Sequence, residues 1–515
     1  MSAAVVHLEQ ADAPTAGAFA ASQTVFAQVV GWLDGAEAAG LTHAELEGRL
    51  QRDSRELFRQ LLQDHLDLRA VREERLEGVV AADGVGRASV EAGHERALAT
   101  VFGPVTCRRM AYRNKGHANL HPADAALNLP AEKHSHGLRR LAAVEASRDS
   151  FDGAVAALER ATGQQLGKRQ VEALARRAAA DFEAFYADRA PPVGDPGDVL
   201  ALSADGKGIV MRPDALRAAT AKAAAEEQHK LKTRLSRGEK RNRKRMATVT
   251  SVYEVTPAPR TPADVLSRSH QPDDEDDEGR EPAPAPKAKR KWLAASVEHD
   301  AATVIAACFD EAERRDPDHV RTWVALVDGN THQIDRLGAE AEKRGVTLSI
   351  LVDFVHVIEY VWKAAWCFYD EGDAAAEAWV GDQLSDILAG DARKVAARMR
   401  AKATRARLKP TARANVDTAA TYLVNKAAYL DYPTALAQGW PIATGVIEGA
   451  CRHLVKDRLD RTGARWSVEG AEAVLKLRAI ISNGHIDEYF AYHLAKEHQR
   501  VHQSRYANNQ IPRAA

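Results

Sequence analysis

Three short apolar segments after residue 190 are each followed closely by an aspartate. The segment 199–203 precedes Asp205, the segment 323–327 precedes Asp328, and the segment 348–352 precedes Asp353. Apolar runs of this length are typical of buried strands, and the segments between them include helical apolar spacing. Strands that alternate with helices predict an α/β fold. We expect each of the three strands to end at its aspartate, and the first to resume at Ile209, Val210 and Met211.

Strand ends are where ligands and catalytic groups collect in α/β sheets. A single aspartate at such a position is usually a turn former or a helix cap. Three of them, two followed by glycine, instead favour a shared site. Mg²⁺ prefers carboxylate oxygens, and two such ions about 3.5–4 Å apart can activate the attacking oxygen and stabilise the leaving oxygen in phosphodiester cleavage.

Length and composition exclude several classes of protein. The chain has 515 residues, enough for two to four domains. Its 71 basic and 72 acidic residues nearly balance, so any polyanion-binding surface must be local. Four widely spaced cysteines without a C-x-x-C pair argue against a disulfide framework or a cysteine zinc finger. Without a signal peptide or an apolar run of about 20 residues, we expect a soluble, cytoplasmic protein.

Residues 1–90 are predicted to be helical, and a β-hairpin and a histidine-bearing loop are predicted to follow. A helix begins near Ala18, and Thr42 with Glu45 forms a capping box for a second helix, giving a helical hairpin that packs or dimerises. A β-hairpin follows, with its turn at Gly103–Pro104 and a basic second strand. The next loop carries four histidines that we interpret as loop residues rather than zinc ligands: His117, His121, His134 and His136.

Residues 148–188 have the outline of a helix-turn-helix. One helix ends at Gly163 and a basic helix starts near Gly167. The residues placed to contact DNA are Lys168, Arg169 and Gln170 at its start and Arg176 and Arg177 further along. A plain pair of packed helices remains the alternative.

The segment 213–292 is a charged insertion. Its basic run, which includes Arg241, Arg243, Lys244 and Arg245, either grips DNA or is a solvated arm. Residues 246–255 alternate as a strand. Residues 256–291, with the acidic run 273–278, are predicted to be disordered.

Four sequence motifs resemble a known family. They are ADGKGIVM around Asp205, WVALVDGNTHQID around Asp328, ILVDFVHVIEYVW around Asp353, and PIATGVIEGACRHLVKDRLDRTGARW around Glu448. Together they resemble bacterial insertion-sequence DDE transposases of the ISKra type and, more distantly, Mutator-like transposases. The resemblance covers residues from about 90 to 500 and is densest between 440 and 485.

The resemblance implies an RNase H-like core with an all-helical insertion. Asp205 would lie on the first, central strand and Asp328 on the fourth. With Glu448, on a helix after the insertion, they would form the catalytic set and hold two Mg²⁺ or Mn²⁺ ions. Asp353 and His356 would be accessory residues, although His356 could also be a packing histidine. Glu469 and Glu472 are nearby alternatives to Glu448 that periodicity alone does not exclude.

The implied activity is metal-dependent cleavage at transposon ends and strand transfer into target DNA. Its partners would be double-stranded DNA, namely the terminal inverted repeats and the target DNA. The protein would act as a homo-oligomer and would not bind a membrane. Five more residues are expected to contact DNA near the scissile phosphate: Arg452, Lys456, Arg458, Arg461 and Arg465. An inactive transposase-derived DNA-binding protein and another RNase H-like nuclease are the alternatives.

These inferences predict a domain order. It is a helical region over 1–90, a DNA-binding region with the β-hairpin and helix-turn-helix over 91–190, and the first part of the catalytic core over 191–370. The helical insertion over 371–439, the second part of the core over 440–500 and a tail over 501–515 complete the chain.

Overall fold

The computed structural model describes residues 17–191, 193–226, 231, 233–234, 236, 243–266, 282–461 and 463–513. The chain forms two compact units. Unit 1 comprises Met1–Phe185 and His485–Ala515, and unit 2 comprises Tyr186–Gly484. The division at 185/186 lies close to the predicted boundary at 190/191.

Unit 1 begins with helices and a β-hairpin. The elements are α1 (Ala20–Leu33), α2 (Ala36–Ala39), α3 (His43–Val71), β1 (Ser89–Thr100) and β2 (Gly103–Arg113). The Thr42 capping box is confirmed, because the backbone N–H of Thr42 donates to Glu45 Oε2 at 2.8 Å. The hairpin turn is at Val101–Phe102 instead of Gly103–Pro104, because Thr100 pairs directly with Gly103.

The remaining elements of unit 1 are helical. They are α4 (Pro122–Ala126), α5 (His136–Arg148), α6 (Phe151–Thr162), α7 (Lys168–Ala178) and, near the chain end, α21 (Ile486–Glu497). Helices α5, α6 and α7 pack against one another. The short helix α8 (Phe182–Asp188) crosses the boundary between the units.

Buried ion pairs explain why residues 485–500, predicted to belong to the catalytic core, are part of unit 1. The fully buried Arg139 of α5 donates to Glu497 at 2.6 Å. His493 is 2.6 Å from Asp181, which also pairs with Arg500 at 2.9 Å. A buried charge is tolerated when its partners compensate for lost hydration, so these contacts tie α21 to the N-terminal unit.

Unit 2 contains a mixed five-stranded sheet, which confirms the predicted α/β class. Its strands are β3 (Val199–Val210), β4 (Lys244–Val255), β5 (Ala288–Ser296), β6 (Trp323–Val327) and β7 (Leu348–Val352), in the order β5-β4-β3-β6-β7. β4 is antiparallel to β3 and β5, whereas β6 is parallel to β3 and β7. Every residue of β6 is buried, as expected for a strand inside a covered sheet.

Helices connect and cover the strands. The connections contain α9 (Ala218–Glu226), α10 (Pro262–Leu266), α11 (Ala301–Arg315) and α12 (Thr331–Arg344). A helical block follows β7, with α13 (Phe354–Ala365), α14 (Ala374–Leu388), α15 (Ala392–Arg405), α16 (Pro410–Lys426) and α17 (Tyr432–Ala437). The last elements are α18 (Gly445–Ala450), a π-helix (Cys451–Lys456), α19 (Asp457–Leu459) and α20 (Val468–Ser482).

The segment 256–291, predicted to be disordered, is folded in part. It contributes α10 and the first residues of β5, where Lys289, Arg290 and Lys291 are exposed. β5 is an edge strand, and edge strands tolerate charged residues that would be excluded from the middle of a sheet. The charged composition of this segment therefore predicted disorder where the chain forms the start of an edge strand. The acidic run 273–278 and Arg241 lie outside the described residues.

Candidate active site

The strand register brings three aspartates into one row. Ser203 of β3 is paired with Leu326 of β6, which is paired with Leu351 of β7. Two residues further along each chain segment are Asp205, Asp328 and Asp353. Neighbouring strands are about 4.8 Å apart, so Asp328 lies between the other two at the carboxyl edge of β6 and β7.

Asp205 is within a strand and not at its end, which corrects the expectation from sequence. β3 continues to Val210 because it remains paired with β4, from Asp205 opposite Val249 to Val210 opposite Lys244. Only its parallel neighbour β6 stops, at Val327. Asp205 is therefore held rigidly by the ladder to β4 while its other side borders the edge of the sheet.

Asp328 is held by the start of α12 and by the helical block. Its Oδ1 accepts from the backbone N–H of Asn330 at 2.8 Å. The amide nitrogen of Gln333, in the orientation that satisfies its neighbours, donates to Asp328 Oδ1 at 3.0 Å and to the Ala204 carbonyl at 3.2 Å. Gln333 thus joins Asp328 to the residue before Asp205. Sequence reasoning missed this glutamine.

Tyr422 of α16 contacts the backbone on the other side of Asp328. Its hydroxyl donates to the Asp328 carbonyl at 3.3 Å. Burial raises the pKa of Tyr422, so the hydroxyl keeps its proton. The next residue, Gly329, has a φ of +88°, and a Cβ there would be 2.6 Å from the Tyr422 hydroxyl oxygen. Glycine is therefore required at this close approach.

Asp353 is a fully buried carboxylate that begins α13. It accepts from the backbone N–H of Val355 at 2.9 Å and from the hydroxyl of Thr444. Nδ1 of His356 is 3.2 Å from Asp353 Oδ2, so the expected contact one helical turn away is present. Three partners compensate for the buried charge. They also orient the imidazole of His356, which is one-third exposed.

Glu448 lies on α18, close to this pair. One ligand atom from each of Asp353, His356 and Glu448 lies within 4.8 Å of the others. Thr444, the residue before α18, connects them because its hydroxyl bonds Asp353 and is 3.5 Å from Glu448 Oε1. The residue that precedes α18 therefore uses its side chain inside the site.

The alternative glutamates have other environments. Glu472 is buried and accepts from the Ser296 hydroxyl at 3.0 Å and from the Val297 N–H at 2.8 Å. Both bonds are made by Oε2 of the carboxylate, at the end of β5. Glu469 is exposed in the first turn of α20. Of the three glutamates, Glu448 is the one whose carboxylate is grouped with Asp353 and His356.

Cys451 joins the Glu448 helix to Asp205. Its Sγ is 3.2 Å from Asp205 Oδ2, while the Gly206 N–H donates to Oδ1 at 2.6 Å. Burial and the nearby Asp205 carboxylate raise the pKa of the Cys451 thiol, so it acts as a protonated donor. Sequence analysis missed this role, although the spacing of three residues from Glu448 was a signal.

Asp353, His356 and Glu448 form a compact acidic and histidine group, whereas the predicted set Asp205, Asp328 and Glu448 is not grouped in this way among the described residues. Asp205 is connected to the Glu448 helix by Cys451. Asp328 is connected to the residue before Asp205 by Gln333, and the strand register places the two aspartates in one row. Like charges repel at close range, which favours separated carboxylates when no cation lies between them. All five side chains are oxygen or imidazole donors, which suit hard divalent ions better than thiolate-preferring ones.

The predicted basic face beyond Glu448 is exposed with one exception. Arg452, Lys456, Arg461 and Arg465 are exposed. Arg458 is 2% exposed, with its guanidinium carbon 4.7 Å from the centroid of the Trp466 ring. Its position corrects the expectation of a surface DNA contact, because cation–π packing on an aromatic ring removes the side chain from solvent.

Lys244 and Arg245, from the basic run of the insertion, make internal contacts. Lys244 pairs with Asp460 at 3.1 Å. Arg245 donates to the carbonyls of Val297 at 2.7 Å and Glu298 at 3.0 Å, which anchors the residues after β5. Arg243 is partly exposed.

In unit 1, α6 and α7 are joined by a short turn in which Gly163 adopts a φ of +69°. Gln170 accepts from the Gly167 N–H at 2.8 Å and so caps α7. Lys168 pairs with Asp152 at 2.6 Å, and Arg177 pairs with Glu132 at 2.9 Å. The other two predicted DNA-contacting residues, Arg169 and Arg176, are exposed.

The chain matches no protein-family model and no curated protein. Within the described ranges, no helix combines the length and apolar character that crossing a bilayer requires.

Proposed function

We propose that the protein is a DDE-type DNA transposase that cleaves DNA at transposon ends and joins the freed ends to target DNA. The single observation that carries the proposal is the row Asp205–Asp328 on neighbouring strands, with the Glu448 helix linked to Asp205 through Cys451. Carboxylates from separate chain segments converge there on one edge of the sheet, as metal-dependent phosphoryl transfer requires.

The architecture supports an RNase H-like core. Asp205 is on the first strand of the sheet in chain order, which is also its central strand, and Asp328 follows the fourth. A helical block of five helices separates β7 from the Glu448 helix. These are the positions that the sequence resemblance implies for the three carboxylates.

The donor set fits two Mg²⁺ or Mn²⁺ ions. Asp205, Asp328 and Glu448 would hold them, and each has a partly or fully exposed side chain that a hydrated ion and DNA can reach. When bound, the ions would activate the attacking oxygen and stabilise the departing one. The fully buried Asp353 is better suited to positioning than to binding an ion, because its hydrogen bonds orient His356 and Thr444 beside Glu448.

The reaction has two steps. A water oxygen forms a new bond to phosphorus while the bond from phosphorus to the 3′ oxygen breaks. The departing oxygen gains a proton as the attacking water loses one, which leaves a 3′-hydroxyl and a 5′-phosphate. That 3′-hydroxyl then attacks a target phosphodiester in the same way and displaces the target's own 3′ oxygen.

DNA recognition is assigned to two surfaces. Helices α6 and α7 would form a helix-turn-helix, with Arg169 and Arg176 contacting DNA; Lys168 and Arg177 would have to exchange their carboxylate partners for phosphates. The exposed arginines and lysine after Glu448 would contact the strand beside the reacting phosphate. We propose that the protein acts in the cytoplasm as a homo-oligomer that holds two ends together.

The test is a cleavage and strand-transfer assay on duplexes that carry the DNA flanking the protein's own coding sequence. Asp205→Ala and Asp328→Ala should each abolish Mg²⁺-dependent nicking while duplex binding persists. Asp335→Ala, which removes an exposed carboxylate on α12, is the matched control and should cleave normally.

Two results would contradict the proposal. If the Asp205→Ala variant still cleaves DNA, Asp205 is not a catalytic carboxylate. Cleavage without joining of a 3′-hydroxyl end to target DNA would instead indicate another RNase H-like nuclease.

A further inference from the structure

Helix α13 begins at the candidate site and ends at a pair of tryptophans, of which Trp362 is half-buried and Trp366 is exposed. Trp362 and Trp366 stack with ring centroids 4.9 Å apart and an interplanar angle of 27°. Trp366 is 45% exposed. At 1.5 Å per residue, it lies about 20 Å along the helix from Asp353. A large apolar ring therefore faces solvent on the element that also carries His356.

Other aromatic side chains of the block have internal partners. Tyr360 stacks on Tyr422 at 3.9 Å, and Tyr422 contacts the backbone of Asp328. Tyr369 packs against the ammonium group of Lys402, which lies 4.3 Å from the ring centroid. Trp366 contrasts with them because nearly half of its surface is open.

The turn between α15 and α16 carries three exposed cations: Arg405, Arg407 and Lys409. Neighbouring cations of the block are paired, as Lys394 is with Asp391 at 2.8 Å and Arg413 is with Asp417 at 3.0 Å. In the part of the chain that the structure describes, no ion pair joins a carboxylate to the three turn residues.

This turn lies at the same end of the block as Trp366. Lys402, three residues before Arg405, donates to the Tyr369 hydroxyl at 2.5 Å. The Cys367 thiol, next to Trp366, interacts with Asn415 near the start of α16. Both contacts bring the α15–α16 turn to the carboxyl end of α13.

An exposed aromatic platform beside exposed cations is the combination that binds single-stranded nucleic acid. The bases of an intact duplex are stacked inside the helix, so the Trp366 ring requires an unpaired base. We propose that Trp362, Trp366, Arg405, Arg407 and Lys409 form a stacking surface that binds an unpaired segment of the DNA strand being processed.

The distance between the stacking surface and the candidate site predicts how far the unpaired segment lies from the reacting phosphate. A distance of about 20 Å corresponds to about six nucleotides at 3.4 Å per nucleotide of one strand. The identity of the strand rests on the proposed function, whereas binding of unpaired DNA can be measured without any cleavage.

The experiment uses the full chain in EDTA and compares a blunt duplex with the same duplex carrying a single-stranded extension. Trp366→Ala should weaken binding of the extended duplex by about fivefold or more, from a stacking contribution of about 1 kcal/mol or more per base, and should not affect the blunt duplex. Trp366→Phe should retain most of the affinity. Phe26→Ala, which removes another exposed aromatic ring, is the matched control and should bind normally.

The triple variant Arg405→Ala, Arg407→Ala and Lys409→Ala should reduce the dependence of log affinity on log salt concentration for the extended duplex by about 2. The proposal is overturned if Trp366→Ala binds the extended duplex as the wild type does, or if it changes the oligomeric state instead. If the wild type cleaves and joins duplex ends but neither Trp366→Ala nor the triple variant changes binding as expected, the proposal of the stacking surface alone is wrong. If it binds no DNA at all, the proposed function fails as well.

Discussion

The thiol of Cys451 lies 3.2 Å from Asp205 Oδ2, although the two residues are far apart in sequence. The contact fixes one carboxylate oxygen of the central strand relative to the helix that carries Glu448. A buried thiol is a weak donor, so its main effect is orientation.

We therefore expect Cys451→Ala to raise the Mg²⁺ concentration needed for half-maximal cleavage by several-fold, because Asp205 loses an orienting partner. Cys451→Ser keeps a donor and should need less Mg²⁺ than the alanine variant. Cys367→Ala removes a half-buried cysteine of the helical block and is the control. Equal Mg²⁺ requirements for the serine and alanine variants would show that the thiol does not orient Asp205.

Thr444→Val should destabilise unit 2. It replaces a hydroxyl by a methyl group beside the fully buried Asp353 carboxylate, at a cost of about 1–3 kcal/mol. Urea unfolding measures the change. Thr418→Val is the control, since the exposed Thr418 only bonds the carbonyl of Ala414 in its own helix. Equal stabilities of the two variants would mean that water or His356 replaces the lost donor.

Gly329→Ala should destabilise the protein by about 1–3 kcal/mol, because of its positive φ and its contact with Tyr422. Combining it with Tyr422→Phe should recover the steric part of this cost but leave the backbone strain. Gly338→Ala, in α12 where a Cβ meets open space, should instead stabilise by about 0.5–1 kcal/mol. Thermal unfolding of the three variants and the wild type distinguishes these effects, and a neutral Gly329→Ala would contradict the close approach.

His136 should make the stability of unit 1 depend on pH. Burial and then the nearby Arg139 guanidinium lower the pKa of His136 to about 4, against about 6.5 in an unfolded chain. The unfolded state binds more protons between these values, so stability falls as pH decreases from about 6.5 to about 4. His136→Gln should flatten this part of the unfolding profile, whereas His43→Gln, at an exposed position, should not. An unchanged slope in His136→Gln would assign the effect to other groups.

Arg458→Ala and Arg465→Ala should have opposite effects. Arg458 packs under Trp466, so its removal should lower stability with little change in the salt dependence of DNA binding. The exposed Arg465 should do the reverse, reducing the dependence of log affinity on log salt concentration by about 0.9 if it contacts one phosphate. DNA titrations at several salt concentrations, with unfolding curves, test both. A larger salt effect for Arg458→Ala would contradict the assignment.

Local patterns in the sequence predicted much of the fold. The strands before Asp328 and Asp353 and the capping box at Thr42 are encoded within a few residues, and all are present. The proximity of His356 to Asp353 also followed from one helical turn. What failed depended on pairing partners. The apolar residues from Ile209 onward indicated more strand, but the continuity of β3 through Asp205 comes from its pairing with β4.

The burial of Arg458 has a different physical cause. Helical spacing counted from Glu448 assumes 3.6 residues per turn, but Cys451–Lys456 forms a π-helix with a wider turn. Every residue after it is rotated relative to the expected face, so an arginine assigned to the surface packs against Trp466. π-Helical turns are rare and have no reliable sequence signature, which is why the burial of Arg458 was not predicted.

The row of aspartates also bears on when the protein can act during its own synthesis. The segments that supply the carboxylates are separated by more than 240 residues, from Asp205 to Glu448. Domains generally fold from the amino end as they leave the ribosome, yet the sheet remains without its last carboxylate until α18 has emerged. Under the proposed function, a nascent or prematurely terminated chain that ends before α18 lacks a complete carboxylate set, which would protect the DNA being transcribed beside it.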